Sequence, residues 1–543
     1  MTAAGHAAAG DSPLAAAGPA PDVALRSRTG VALIAATVLA SAVTAVDANV
    51  IKVAVPAIGR SLGASVMALQ WTLTSYLLAV AALLLLAGAL SDRFGRRRLL
   101  AIGLLVMLVA SVLCAVAPSI GVLIVARVIQ GIGAALVVPT SLALLNGTFR
   151  DADRARGIGL WAGLETLGTT VGPYVGGWLV DSGSWRYVFL LNIPLILGGL
   201  LALRHVPESG RESGRFSLDV RGALLAVLGL GGVIYALTAG PSSGWLSAPV
   251  LVAAAFGVIG LALLVPVERR LRAPMLRLAL FASRQFDAIN VMTLVLYGAL
   301  GAASYLVILQ CELRLGYSAA QAGAALIPES VVFLLLAPLS GALVARFGPR
   351  RLMTGGTLAV AAAFCWLSAA HAGEGYAAAI LPGALLWGLG IGVAVTPLTA
   401  AVLAAVGDAD LGEASGINDA ASRIGGVVVV ALVPVLIGAT GGRSYASALT
   451  HGYQPAMLVM GGLCIAAALV TALFVTDKRG PAARIAARAP EAGCAAACLP
   501  VPAAAPDPAP VPAAEVPAAR MPVAETPVTE VPAAEVPATG GVS

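Results

Sequence analysis

Seven ionisable side chains stand inside long apolar stretches of this 543-residue chain: Asp47, Lys52, Arg127, Glu165, Glu329, Asp419 and Arg423. At membrane depth such a charge costs several kcal/mol, so each needs a partner or a water-filled cavity. The chemistry open to them is proton binding: a carboxylate next to a cation stays ionised, and takes up a proton when the cation withdraws. Asp47 and Arg127 lie a similar number of residues from the same end of their spans, about 12–14 Å deep at the helical rise, and are placed to pair. Such a pair is either a static bridge or a proton-responsive contact. Buried pairs seldom improve stability over apolar packing, which favours the second reading. Glu165 sits nearer mid-membrane, as a proton carrier, a contact for a cationic substrate, or a hydrogen-bond partner of a neighbouring helix. Glu329 follows Pro328 and faces an outer vestibule, whereas Asp419 and Arg423, at i and i+4, can satisfy each other on one helix face. Lys52, within a turn or so of the outer surface, is expected to snorkel to it.

Other chemistries lack their residues. Of the four histidines, His6, His205 and His451 fall outside the predicted spans and His371 only ends one, which argues against a metal site or a histidine relay. There is no GKS or GKT phosphate loop, only two lysines occur, and Gly131-x-Gly133 opens no strand–turn–helix unit. The sequence therefore reads as no enzyme and as having no cofactor, with an ion gradient as the energy source. Cysteines 114, 311, 365, 464, 494 and 498 are scattered and form no disulfide framework; the CAAAC of Cys494 and Cys498 reads as incidental in a low-complexity tail.

The elements that must position these groups are membrane spans. With 59% hydrophobic and 11% charged residues and a mean hydropathy of +0.92, the chain is an all-α polytopic membrane protein. Apolar runs predict about fourteen spans, at 30–55, 71–91, 98–117, 119–146, 156–180, 186–203, 220–239, 248–266, 286–311, 320–344, 351–371, 376–400, 413–439 and 454–475. Placing both termini in the cytosol leaves only Arg60, Arg186, Arg314 and Arg443 outside, as the positive-inside rule requires. The net charge of +6 is thereby explained by orientation in the membrane, without nucleic acid as a partner. Residues 1–28 lack a continuous apolar core and read as a disordered cytoplasmic N-terminus. The Ala/Pro-rich residues 477–543 read as a disordered cytoplasmic tail.

GALSDRFGRRRLL at Gly88 returns as GALVARFGPRRLM at Gly341, each after the second span of a six-span block. The echo predicts two homologous six-helix bundles, 29–205 and 286–476, with 206–285 contributing two inserted helices and their flanking loops. Ala345 replaces Asp92 in the second copy, so the charges should be lopsided.

These motifs resemble the fourteen-span drug:proton antiporter branch of the major facilitator superfamily. Gly88, Asp92, Arg93, Gly95, Arg96 and Arg97 match its loop 2–3 motif G-x-x-x-D-R-x-G-R-R. Leu123, Arg127, Gln130, Gly131 and Gly133 match its span 4 motif L-x-x-x-R-x-x-Q-G-x-G. Gly159, Gly168, Gly172, Pro173, Gly176 and Gly177 on span 5 resemble the motif found in exporters and generally missing from importers. Span 1, VDANVIKVAVP, resembles the branch pattern L-D-x-T-I-V-N-V-A-L-P but carries Asn49 and Lys52 in place of Thr and Asn. The Lys52 departure suggests a shift toward anionic or zwitterionic substrates.

The resemblance implies alternating access by two bundles in the cytoplasmic membrane, moving drugs or self-made antibiotics of actinobacterial type. It implies a functional monomer whose partners are a small-molecule substrate, protons and membrane lipid. Gly88 to Arg97 would form a conformational latch, with Asp92 and the arginines meeting Asp408, Asp410 and Glu413 near the start of span 13. Lys52, Trp71, Tyr76, Asn290, Tyr297, Gln310, Glu329 and Trp387 are the expected cavity liners, although aromatic residues near span ends also serve as interfacial anchors. Two alternatives stay open: a proton-coupled importer of a metabolite, which would share the first two motifs, and a non-transporting membrane sensor that uses the tail.

Overall fold

In lipid the helix is the one open-ended backbone that satisfies its own hydrogen bonds, and uninterrupted apolar runs fold accordingly. The computed structural model describes residues 23–209, 219–271, 278–371, 374–407, 410–439 and 443–477. The first helices are α1 (Arg28–Leu62), α2 (Val66–Phe94), α3 (Arg96–Ala115), α4 (Ile120–Thr148), α5 (Asp151–Asp181), α6 (Tyr187–Leu190) and α7 (Asn192–Leu203). Next come α8 (Val220–Ser243) and α9 (Ala248–Arg270). The remainder are α10 (Arg284–Leu313), α11 (Ala319–Ala324), α12 (Ile327–Phe347), α13 (Pro349–Ser368), α14 (Tyr376–Ala379), α15 (Leu381–Ala404), α16 (Leu411–Leu436) and α17 (Tyr445–Phe474). Among the described residues eleven helical segments are long and apolar enough to cross a membrane, and α5, α13 and the shorter Tyr187–Leu203 stretch occupy the other predicted positions.

Serine starts many of these helices. Ser27, Ser65, Ser119, Ser283, Ser318 and Ser444 each accept a hydrogen bond from the amide three residues on, satisfying one orphan donor of the first turn. The Ser444 cap starts α17 well before the predicted residue 454, so His451 lies exposed on its early turns. Three predicted spans are broken into a short and a long piece, and proline is the reason. Pro194, Pro328 and Pro382 follow the breaks; none can donate a bond to the carbonyl four residues back, which falls at or near the end of α6, α11 and α14.

The same set of helix pairings occurs twice. In the first half α1 packs on α5 and α7, α4 on α2 and α3, and α3 on α7. In the second, α10 packs on α16 and α17, α15 on α12 and α13, and α13 on α17. Helix α8 lies against α2 of one half and α16 of the other, while α9 packs mainly on α8. Glycines set the closest crossings in both halves. A methyl at Gly133 would press on Met107 and the Gly103 carbonyl of α3, and methyls at Gly356 and Gly390 would press on each other's carbonyls between α13 and α15. Residues 1–22 and 478–543 lie outside the described residues. Of the predicted disordered N-terminus, Val23 instead bridges to Phe149 and Leu25 donates its amide to Asp153, which fixes this segment on the α4–α5 link.

Candidate functional site

A closed polar network lies inside the first half. Arg127 is fully buried and Asp47 is 4% exposed. Arg127 Nη1 donates to Asp47 Oδ2 and, at 2.8 Å, to Gln130 Oε1, while its Nε donates to the Thr72 carbonyl at 3.0 Å. The other Asp47 oxygen accepts from Gln130 Nε2 and Asn192 Nδ2, both at 2.8 Å. The same two amides reach the Ser111 hydroxyl at 3.0 and 3.2 Å. The guanidinium lies over the Tyr76 ring, 4.2 Å from its centroid, and Tyr76 donates to the Thr44 carbonyl. Helices α1, α2, α3, α4 and α7 thus all meet at one carboxylate. Asn192 and Ser111 escape sequence reasoning because neither belongs to a motif; the one hint is an amide in the otherwise apolar run LLNIPLILGG. In the second half Ala384, four residues before Gly388, stands where Arg127 precedes Gly131, and no such network forms there among the described residues.

The span 5 glycines serve two neighbours. Gly168, Gly172 and Gly176 face Ala42, Val46 and Val50 of α1, both sets spaced by four residues. Gly177 faces the opposite half, where a methyl would overlap the Ala319 carbonyl, and Gly323 of α11 returns the contact against the Pro173 carbonyl. The Asp181 carboxylate at the end of α5 seals this junction by accepting from Ala319 N at 3.1 Å and Ala320 N at 2.9 Å. Gly159 has open space around it. Gly131 seats α4 against the Tyr76 carbonyl of α2.

At the opposite end the two echoed loops share a construction that the motif alone does not disclose. Gly95 and Gly348 have φ of +97° and +77°, a region that favours glycine, and each precedes a helix headed by arginines. Glu208, just beyond α7, accepts from the amides of Arg97 at 2.9 Å and Arg98 at 3.2 Å. Asp477, just beyond α17, accepts from the amide of Arg350 at 3.0 Å. A carboxylate following the sixth span of each half therefore caps that half's third span, where the helix dipole favours negative charge. Arg96 reaches the Ala143 carbonyl at 3.0 Å, and Arg93 is exposed beside Phe94. Gly88 has open space around it. The Asp92 side chain and Asp408 lie outside the described residues; Asp410 and Glu413 sit at the head of α16, a helix that packs on α2.

The expected cavity liners disperse. Lys52 does not snorkel: its ammonium donates to Asn49 Oδ1 at 3.1 Å and crosses to Ser304 Oγ of α10 at 2.7 Å, two neutral acceptors that satisfy it within the protein. Tyr76 belongs to the Arg127 network. Gln310 is buried and donates to the Ala370 carbonyl, and Trp387 is buried edge-on against Phe364, so both serve the interior of the second half. Trp71 contacts Tyr235 of the inserted α8, and Asn290 is buried in a bond to Asn418. Glu165, Tyr297 and Glu329 are partly exposed. Arg423 and Asp419 pair at 3.5 Å, and both act electrostatically on Glu165.

The sequence profile of the Major Facilitator Superfamily matches residues 37–309 and 289–524. The chain belongs to that superfamily. It is a multi-pass membrane transporter of this family. It is 35% identical over 417 residues to the multidrug resistance protein Stp of Mycobacterium tuberculosis, covering 76% of this chain and 77% of that protein. It is 32% identical over 469 residues to the methylenomycin A resistance protein of Bacillus subtilis, covering 84% and 97%. The fold is shared with a D-xylose–proton symporter, at 20% identity and a TM-score of 0.60 over 83% of this chain and 98% of the other.

Proposed function

We propose that this chain is a proton-coupled exporter of small amphipathic molecules, drugs or antibiotics, working as a monomer in a bacterial cytoplasmic membrane. Eleven long apolar segments among the described residues, with α5, α13 and the α6–α7 unit, support a count of fourteen crossings; an even count keeps both termini on one side, and the arginine-rich loops favour the cytosol. The first six, the α8–α9 pair and the last six then correspond to two bundles and an insertion. The observation that carries the reading is the Asp47 network. A carboxylate held by Arg127, Gln130 and Asn192 exchanges its cation for a proton only if the surrounding helices shift, and that makes protonation a mechanical event. The names of the relatives, both resistance proteins, support export.

In this mechanism the α5–α11 junction at Gly177 and Asp181 is the closed outer gate. Cargo enters from the cytosol or inner leaflet while Asp47 or Glu165 releases a proton inward. Reprotonation from outside loosens α1 against α5, the outer contacts part, and cargo leaves. A latch of Gly88 to Arg97, through Asp92, on Asp408, Asp410 and Glu413 would close the inner side in turn; in this structure α2 and α16 pack further out, through Ala81 and Ala82 against Val427 and Ala431. One proton moving down 100 mV supplies about 2.3 kcal/mol, enough for a roughly fiftyfold cargo gradient. The reading is tested by accumulation of labelled lipophilic drugs in cells with and without the protein. Expression should lower accumulation, and collapse of the proton gradient should abolish the difference. A difference that survives collapse refutes proton coupling.

A further inference from the structure

Lys52 and Glu329 are charges that the Asp47 network leaves unused. The Lys52 ammonium is held by two neutral oxygens, Asn49 Oδ1 and Ser304 Oγ, on helices from opposite halves. The Glu329 carboxylate, in the first turn of α12, accepts from Ser330 Oγ at 2.8 Å. Each lies in the electrostatic field of the other, yet no ion pair joins them. Both side chains are partly exposed, Lys52 on α1, which packs on α10 and α11 of the other half, and Glu329 in the first turn of α12, which follows α11 and packs on α5, the neighbour of α1. The other charges there, Asp419, Arg423 and Glu165, form a separate group in which Asp419 and Arg423 already neutralise each other.

Two opposite charges kept apart at membrane depth are costly unless a third body bridges them. A purely cationic cargo would meet Glu329 but be repelled by Lys52, and a purely anionic one would meet the reverse. A cargo with both charges gives each side chain the counter-ion it lacks, and electrostatic complementarity of this kind sets specificity.

We propose that Lys52 and Glu329 together select a zwitterionic amphiphile, Lys52 receiving its acidic group and Glu329 its amine. This rests on the exporter reading but is tested by binding, without a gradient, so that a failure of export or of proton coupling leaves the result intact. The probes are a fluoroquinolone with a free piperazine amine and carboxylate, its methyl ester, which is only cationic, and its N-acetyl derivative, which is only anionic. Affinities are read from fluorophore anisotropy with the purified full-length protein. The zwitterion should bind at least tenfold more tightly than either derivative. Lys52→Asn should erase its advantage over the ester, Glu329→Gln its advantage over the acetylated form, and Lys52→Arg should retain both. Monodisperse elution of each variant confirms that it is folded. Equal binding of the three probes, no binding of any, or an unchanged preference in folded Lys52→Asn overturns the proposal.

Discussion

Replacing Asp47 with Asn tests the network at its centre. The carboxylate uses one oxygen for Arg127 and the other for Gln130 and Asn192. An amide whose oxygen faces Gln130 and Asn192 keeps those two bonds but turns its NH2 toward Arg127 Nη1, donor against donor. The fully buried guanidinium then has no counter-ion, and Nη2 already lacks a hydrogen-bond partner. Breaking a buried pair in this way costs about 3–5 kcal/mol. Asp47→Asn should therefore lower the thermal stability of the purified protein and abolish drug efflux. The second effect alone would not separate a proton site from a structural bridge, so the informative variant is Asp47→Asn with Arg127→Gln. Removing both charges relieves the unpaired cation, and stability should return to within about 1 kcal/mol of the parent, because neutral replacements of buried pairs are often tolerated. Efflux, measured as gradient-driven uptake of a fluorescent drug into everted vesicles, should stay absent. A double variant that is stable and transports at the parental rate would refute the assignment of proton coupling to this pair. An Asp47→Asn protein as stable as the parent would refute the electrostatic reasoning itself.

Gly177→Leu should force α5 away from the Ala319 carbonyl and hold the outer gate open, giving a folded protein whose outer vestibule reacts with an externally added thiol reagent at an engineered cysteine severalfold faster than in the parent. Unchanged labelling would show that this contact does not control access. Glu208→Ala and Asp477→Ala each remove the cap of a third span, a loss of about 0.5–2 kcal/mol by comparison with helix caps elsewhere. If the two loops act as equivalent hinges, each variant should reduce efflux while membrane insertion, followed by immunoblotting, stays normal; full activity in both would dismiss the caps as decoration.

The helix positions were legible because span-length apolar runs have one structural outcome in lipid, and the echo at Gly88 and Gly341 announced the duplicated packing. The three breaks before Pro194, Pro328 and Pro382 were equally present in the sequence, since proline cannot complete the bond to the preceding turn. Matched depth brought Asp47 and Arg127 within reach of one another on paper, as it does in the structure. What depth cannot give is azimuth. Distance from the surface alone assigns Lys52 to the interface, but its ammonium reaches across the seam to Ser304. Gln310 and Trp387 likewise turn into the second half instead of toward a cavity. Glu208 and Asp477 were hidden for a different reason: each caps a helix more than a hundred residues earlier in sequence, and only the folded chain juxtaposes them.

Proton exchange for cargo is tested most directly by watching the proton. The full-length protein, reconstituted into liposomes with an acidic lumen and a pH-sensitive dye inside, should release luminal protons when drug is added outside, in parallel with drug uptake. The release should vanish in the stable Asp47→Asn, Arg127→Gln variant. Drug uptake with no accompanying change in luminal pH would contradict antiport.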